Sequence, residues 1–135
     1  MTGPRRFAVR VYYEDTDSGG VVYYANYLRF LERARTELLR SLGVEQAQLA
    51  RDAGIAFAVR SLQVEYVKPA RLDDLIEVAT TIGELGRAQV VFLQRIEREG
   101  ELLVDATVRV ACLDLAKGRA AAMPKNIHEK LKELT

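Results

Sequence analysis

Absences narrow this 135-residue sequence before any pattern is read. It has no tryptophan, three prolines, a single cysteine (Cys112) and a single histidine (His128). One thiol cannot close an internal disulfide, which points to a reducing, cytoplasmic setting. Cys112 lies among alternating apolar residues and reads as a small buried hydrophobe. His128 falls in a polar C-terminal stretch, so no Ser-His-Asp triad is on offer. No apolar run approaches the roughly 20 residues that span a bilayer, and Met1-Thr2-Gly3-Pro4-Arg5-Arg6 lacks the apolar core of a signal peptide. The 20 basic and 19 acidic residues nearly cancel at +1, which removes a global nucleic-acid footprint. There are no repeats, low-complexity tracts or linkers, and the length suits one domain over residues 1–135.

What is present is periodic. Phe7 to Glu14 alternates Phe7, Val9, Val11 and Tyr13 with Ala8, Arg10, Tyr12 and Glu14, which predicts a first strand. Ser18-Gly19-Gly20 then turns the chain. From Ala25 to Leu42, Tyr27, Leu28, Leu31, Ala34, Leu38, Leu39 and Leu42 recur at three- and four-residue steps, predicting an amphipathic helix of about five turns. Its polar side holds Arg29, Glu32, Arg33, Thr36, Glu37 and Arg40. Glu32 is expected in solvated salt bridges with Arg29 and Arg33, and Arg33 in an i,i+4 pair with Glu37. Gly43 is placed for a left-handed cap, and Val44 to Ala53 predicts a short helix stopped by Gly54.

The period then changes to 2 through Ala58–Tyr66, Ile76–Ile82, Val90–Ile96 and Leu102–Val110, four further strands. Gly86 and Glu99-Gly100-Glu101 are short enough for hairpins, so the later strands run largely antiparallel. Pro124 with Ile127, Leu131 and Leu134 predicts a terminal helix. One long helix and five twisted strands form an α+β layer, with the sheet curled around the helix. Apolar residues on both strand faces, Val91 and Leu93 as well as Val90 and Phe92, predict at least a homodimer.

Reactive chemistry concentrates between the first strand and the long helix, from Tyr12 to Tyr27. The opening N–H groups of a helix have no internal partners and the helix dipole is positive there, so an acyl oxygen can be polarised beside a carboxylate. Asp17, just before Gly19-Gly20, has two readings, a turn-forming or capping side chain and a reactive one. Asp15 and Glu14 are expected to shape the turn or face solvent. Tyr23, Tyr24 and Tyr27 form an aromatic cluster suited to a subunit interface.

The ordered set of Val9 to Tyr13, Asp15 to Tyr27, Arg33-Ala34-Arg35-Thr36-Glu37, Val64-Glu65-Tyr66, Pro69 to Asp74, Gln94-Arg95-Ile96 and Pro124-Lys125 resembles the 4-hydroxybenzoyl-CoA thioesterase family of hotdog-fold proteins. Within it, the Tol-Pal-associated acyl-CoA thioesterase branch (YbgC type) is the better match. The resemblance implies a hotdog fold, a long central helix wrapped by a five-stranded, mainly antiparallel sheet. It also implies a homodimer whose sheets join, often a homotetramer, with sites between subunits and neither metal nor cofactor.

By position in the pattern Asp-x-x-Gly-Val-Val-Tyr, the family's catalytic carboxylate falls on Asp17. Its oxyanion donor, a backbone N–H at the helix start, falls on Tyr24. Many members carry His at that position, so a mechanism through the imidazole has no counterpart here, whereas a backbone donor is untouched. Hydrolysis of an acyl-CoA thioester to free acid and CoA is the implied activity, with Asp17 acting either as nucleophile or as general base on water. Gly19, Gly20, Val21, Tyr23 and Tyr27 are expected to line the substrate. Lys68 and Arg87 are chosen as CoA phosphate partners from a set that includes Arg60, Arg71 and Lys125.

The alternative is a non-catalytic or weakly active hotdog protein that holds acyl carrier protein or an envelope-associated partner. A hotdog dehydratase would need a His and carboxylate pair, against which the lone, distant His128 speaks.

Overall fold

The computed structural model describes residues 3–135. Met1 and Thr2, part of the expected leader-free terminus, lie outside the described residues. The chain runs through β1 (Arg5–Arg10), a 3-10 turn at Tyr13–Asp15, α1 (Asn26–Ser41), α2 (Gln46–Ala53), β2 (Ile55–Tyr66), β3 (Leu75–Leu85), β4 (Gln89–Arg98) and β5 (Glu101–Asp114). A two-residue β6 (Arg119–Ala120) and α3 (Lys125–Lys132) complete it. All strand pairs are antiparallel in the order β1-β3-β4-β5-β2, with β6 beside the end of β5. The expected α+β sheet curled on a long helix is therefore present, with β6 as an addition.

Short turns make β3, β4 and β5 a meander. Gly86 N–H closes the first turn on the Gln89 carbonyl at 2.8 Å. The second turn puts Glu99 at φ 51° and Gly100 at φ 81°, a left-handed pair whose twist suits flanking strands. As expected, Gly43 and Gly54 end α1 and α2 in left-handed backbone, at φ 84° and 65°.

Helix α1 buries Phe30, Leu31, Ala34 and Leu38 against Ile76, Val78, Phe92 and Ile96 of the sheet's inner face. Each large apolar side chain removed from water contributes roughly 1.5–3 kcal/mol, so packing rather than helix propensity holds α1. A buried polar knot interrupts this core. Gln94 accepts from Arg35 Nη1 and donates to the Leu31 carbonyl and the Thr80 hydroxyl, each at 3.0 Å.

Several local expectations are corrected. β1 stops at Arg10, not Glu14, because the Asp15 carboxylate takes the Tyr12 N–H at 2.8 Å and pulls the chain into the 3-10 turn. Glu32 forms no salt bridge with Arg29 or Arg33 among the described residues; the Thr36 hydroxyl donates to it at 3.2 Å. Glu37 pairs with Arg40 one turn on, not with Arg33. Of the two outer-face residues expected to need covering, Val91 is buried within the chain opposite Arg109, whereas Leu93 is exposed.

A further apolar surplus lies on β2. A bulge between Val59 and Ser61 keeps Phe57, Val59, Leu62, Val64 and Tyr66 aligned with the inner-face residues of β5. Because α1 packs toward β1 and β3, this stripe on edge strand β2 is left open, with Val59, Leu62 and Tyr66 45–46% exposed. The other edge, β1, is guarded by Arg5, Arg6 and Arg10.

Candidate active site

Residues 15 to 23 fold into a small hairpin. Tyr23 N–H bonds the Asp15 carbonyl and Asp17 N–H the Val21 carbonyl, both at 2.9 Å, with a bridge between Thr16 and Val22. Gly20 at φ 79° allows the tip to close, its N–H reaching the Asp17 carbonyl at 3.2 Å. The hairpin is fastened to the loop before β3 by Val22 N–H to the Ala70 carbonyl at 2.9 Å and a bridge between Val21 and Arg71.

Two carboxylates two residues apart receive different surroundings. Asp15 is buried and both its oxygens are engaged, Oδ2 by the Tyr12 N–H at 2.8 Å and Oδ1 by Asn26 Nδ2 at 2.7 Å. It therefore shapes the turn and ties it to the start of α1. Asp17 is exposed, and only its Oδ1 is used, accepting the Gly19 N–H at 2.8 Å. Its Oδ2 meets no donor among the described residues. The turn-forming reading of Asp17 is thus real, and it leaves half of the carboxylate free.

The start of α1 is equally open. Its cap residue, Ala25, provides no side-chain bond and its first turn holds no acidic residue. Among the described residues nothing accepts the Tyr24 N–H. Peptide donors left unpaired at the positive end of a helix suit a developing oxyanion.

Tyr23 and Tyr24 are 49% and 63% exposed, their ring centroids 4.9 Å apart. Tyr27 is different. It is buried edge-on to Phe30, and its hydroxyl oxygen accepts the Ala70 N–H at 3.0 Å. Burial raises its pKa. Gly19 and Gly20 are exposed and Val21 half-buried on the hairpin.

Tyr66, which strand periodicity alone does not single out, joins this corner. Its hydroxyl donates to the Tyr24 carbonyl at 3.0 Å, and its ring lies 6.3 Å from that of Tyr24 and 5.6 Å from that of Tyr27. Lys68 follows β2 at the same end of the sheet and pairs with Glu101 at 2.6 Å. Arg87 sits in the β3–β4 turn, at the other end of β3, which spans roughly 35 Å at about 3.3 Å per residue. Within one chain the fold does not bring Arg87 to Asp17. Among the described residues no group of three or more His, Cys, Asp or Glu is arranged to hold a metal ion.

Comparison with known proteins agrees with this architecture. Residues 11–131 match the Thioesterase-like superfamily. The chain is 50% identical over 121 residues to the acyl-CoA thioesterase YbgC of Haemophilus influenzae, covering 90% of this chain and 89% of that protein. It is 49% identical over 129 residues to the acyl-CoA thioester hydrolase YbgC of Escherichia coli O6:H1, covering 95% and 96%. The crystal structure of a probable thioesterase from Bartonella henselae superposes with a TM-score of 0.84 at 36% identity, covering 90% of this chain and 99% of that one. The chain therefore belongs to the thioesterase-like superfamily, with a hotdog fold whose central helix opens at the Asp17 hairpin.

Proposed function

We propose that this protein is an acyl-CoA thioesterase, a single hotdog domain over residues 1–135 that hydrolyses acyl-CoA to a free acid and CoA. The observation that carries the reading is the pairing of a half-free carboxylate, Asp17, with the uncapped start of α1 and its unclaimed Tyr24 N–H. The carbonyl oxygen of the thioester takes the Tyr24 N–H, and negative charge builds there as the acyl carbon is attacked. Asp17 Oδ2 either removes a proton from water or attacks the carbon itself, and water then opens the mixed anhydride. Either route breaks the C–S bond, places a hydroxyl on the acyl carbon and sends a proton to the thiolate. A thiol is a good leaving group, so no further nucleophile is needed.

The reaction takes place between two subunits whose sheets join along β2. The open stripe of Val59, Leu62 and Tyr66 and the scarcity of charge on that edge, beside an arginine-guarded β1, support this choice. Pairing two dimers would give a tetramer. Lys68, close to the Asp17 end, is the favoured phosphate partner from the same chain, and Arg87 would have to come from the other subunit. We place the enzyme in the cytoplasm; no described helix is long and apolar enough to cross a membrane.

The test is a panel of short, medium, long and aromatic acyl-CoAs run on wild type and Asp17→Asn. Turnover by wild type that is lost in a folded, normally assembled Asp17→Asn supports the reading. Undiminished turnover in the variant would sink it. Negligible wild-type turnover throughout, with acyl carrier protein retained in pull-down, would favour a binding role instead.

A further inference from the structure

A cavity of about 190 Å3 lies between α1, α2 and the inner face of β2, β4 and β5. One wall is apolar, with Phe57, Phe92 and Val110; the facing wall is the polar flank of α1, with Glu32, Arg35 and Thr36. It opens beside Phe57 and Val59, the far end of β2 from Tyr66.

Arg35 is the unusual member. It is only 9% exposed, yet among the described residues no carboxylate pairs with it. Its one bond runs from Nη1 to Gln94 Oε1, and Gln94 is held in that orientation because its own amide nitrogen is committed to the Leu31 carbonyl and the Thr80 hydroxyl. A guanidinium has five N–H donors in a rigid fork that matches a carboxylate, so most of this fork is unspent. Burial disfavours the charged guanidinium and Glu32, one turn back on the same helix, only partly offsets this, so an anion entering the cavity would give the open side of the fork a second charged partner.

We infer that the cavity receives the far end of the acyl group and that Arg35 selects acyl groups ending in a carboxylate over plain alkyl groups of equal length. This rests on the paired-subunit thioesterase reading. Joining two copies antiparallel along β2 brings the helix start of one toward the Phe57 end of the other, so a thioester held at one subunit's Tyr24 directs its acyl group into the partner's cavity. The volume suits a short chain with its terminal group. Glu32 stands on the same wall and opposes an anion, but it is exposed and so screened by solvent.

The experiment compares kcat/KM for glutaryl-CoA against pentanoyl-CoA, and adipoyl-CoA against hexanoyl-CoA, in wild type, Arg35→Met and Glu32→Gln. Wild type should favour the carboxylate member of each pair. Arg35→Met should lower the carboxylate-to-alkyl ratio by roughly tenfold or more, and Glu32→Gln should raise it. An unchanged ratio in Arg35→Met overturns the inference.

Calorimetry with free glutarate and free pentanoate on wild type needs no variant, and glutarate binding no tighter than pentanoate overturns it as well. If wild type turns over other members of the acyl-CoA panel but none of these four, the inference alone is overturned; if it turns over no acyl-CoA at all, the thioesterase reading fails. Tighter glutarate binding, lost in Arg35→Met, would then still support the carboxylate site.

Discussion

The hydroxyl of Tyr66 donates a hydrogen bond to the carbonyl oxygen of Tyr24 at 3.0 Å, fastening the end of edge strand β2 to the residue whose N–H has no acceptor among the described residues. A residue held through its carbonyl has less freedom to rotate its own N–H away from a bound acyl oxygen. In the proposed mechanism this makes Tyr66 a positioning residue. Tyr66→Phe should lower kcat about three- to tenfold with little change in KM, since the ring contacts survive and only the oxyanion donor loosens. Steady-state kinetics at unchanged oligomeric state checks this. A loss confined to thermal stability would mark Tyr66 as structural only.

Asp15 and Asp17 should separate stability from chemistry. Both Asp15 oxygens accept, whereas asparagine offers one acceptor, so Asp15→Asn leaves a donor facing a donor in a buried site. A destabilisation of about 1–3 kcal/mol is expected in denaturant titrations. Asp17→Asn keeps an oxygen for the Gly19 N–H and should shift stability by less than about 0.5 kcal/mol.

Acid should weaken the loop beneath the hairpin. Burial works against the charged form of Asp74, but the Arg71 N–H and the Arg98 guanidinium at 2.7 Å outweigh it and hold the carboxyl below its ordinary value. A depressed folded-state pKa contributes stability above the unfolded value, near pH 4, and loses it as pH falls through the folded one. The melting-temperature gap between wild type and Asp74→Asn should therefore be widest near neutrality and shrink progressively as the pH falls below the unfolded value.

The β4–β5 turn is improvable. Glu99 occupies left-handed backbone where Asn-Gly is the favoured pair. Glu99→Asn should stabilise the fold by about 0.5–1 kcal/mol, read as a higher melting temperature with no change in activity.

A charge on the open stripe should divide the assembly. Leu62→Lys, on the exposed inner side of β2, is expected to shift sedimentation toward monomer and to remove turnover with it. A persistent dimer would show that the subunits join elsewhere.

The periodic elements were legible in the sequence because they are local. The three- and four-residue rhythm of Tyr27, Leu31, Leu38 and Leu42 is a property of neighbouring residues, as are the glycines at 43 and 54 and the alternation of the later strands. The hairpin from Asp15 to Tyr23 could be located too, by its order of residues. Its internal division of labour could not, since Asp15 and Asp17 differ only in which donors reach them, and Tyr12 and Tyr13 alternate like a strand although the chain bends there.

Tertiary structure alone decided the rest. Nothing in the helical rhythm marked Arg35 as buried; the sheet did, by setting Gln94, 59 residues away, against its guanidinium. Tyr66 was an ordinary strand tyrosine until the sheet order put β2 on the open edge beside Tyr24, 42 residues earlier. Arg87 and Lys68 were alike as basic residues near turns, and the direction of β3 separated them. Local periodicity carries no information about which distant elements share a face, and that sharing is what gathers the glycines, the tyrosines and the half-free Asp17 carboxylate into one corner.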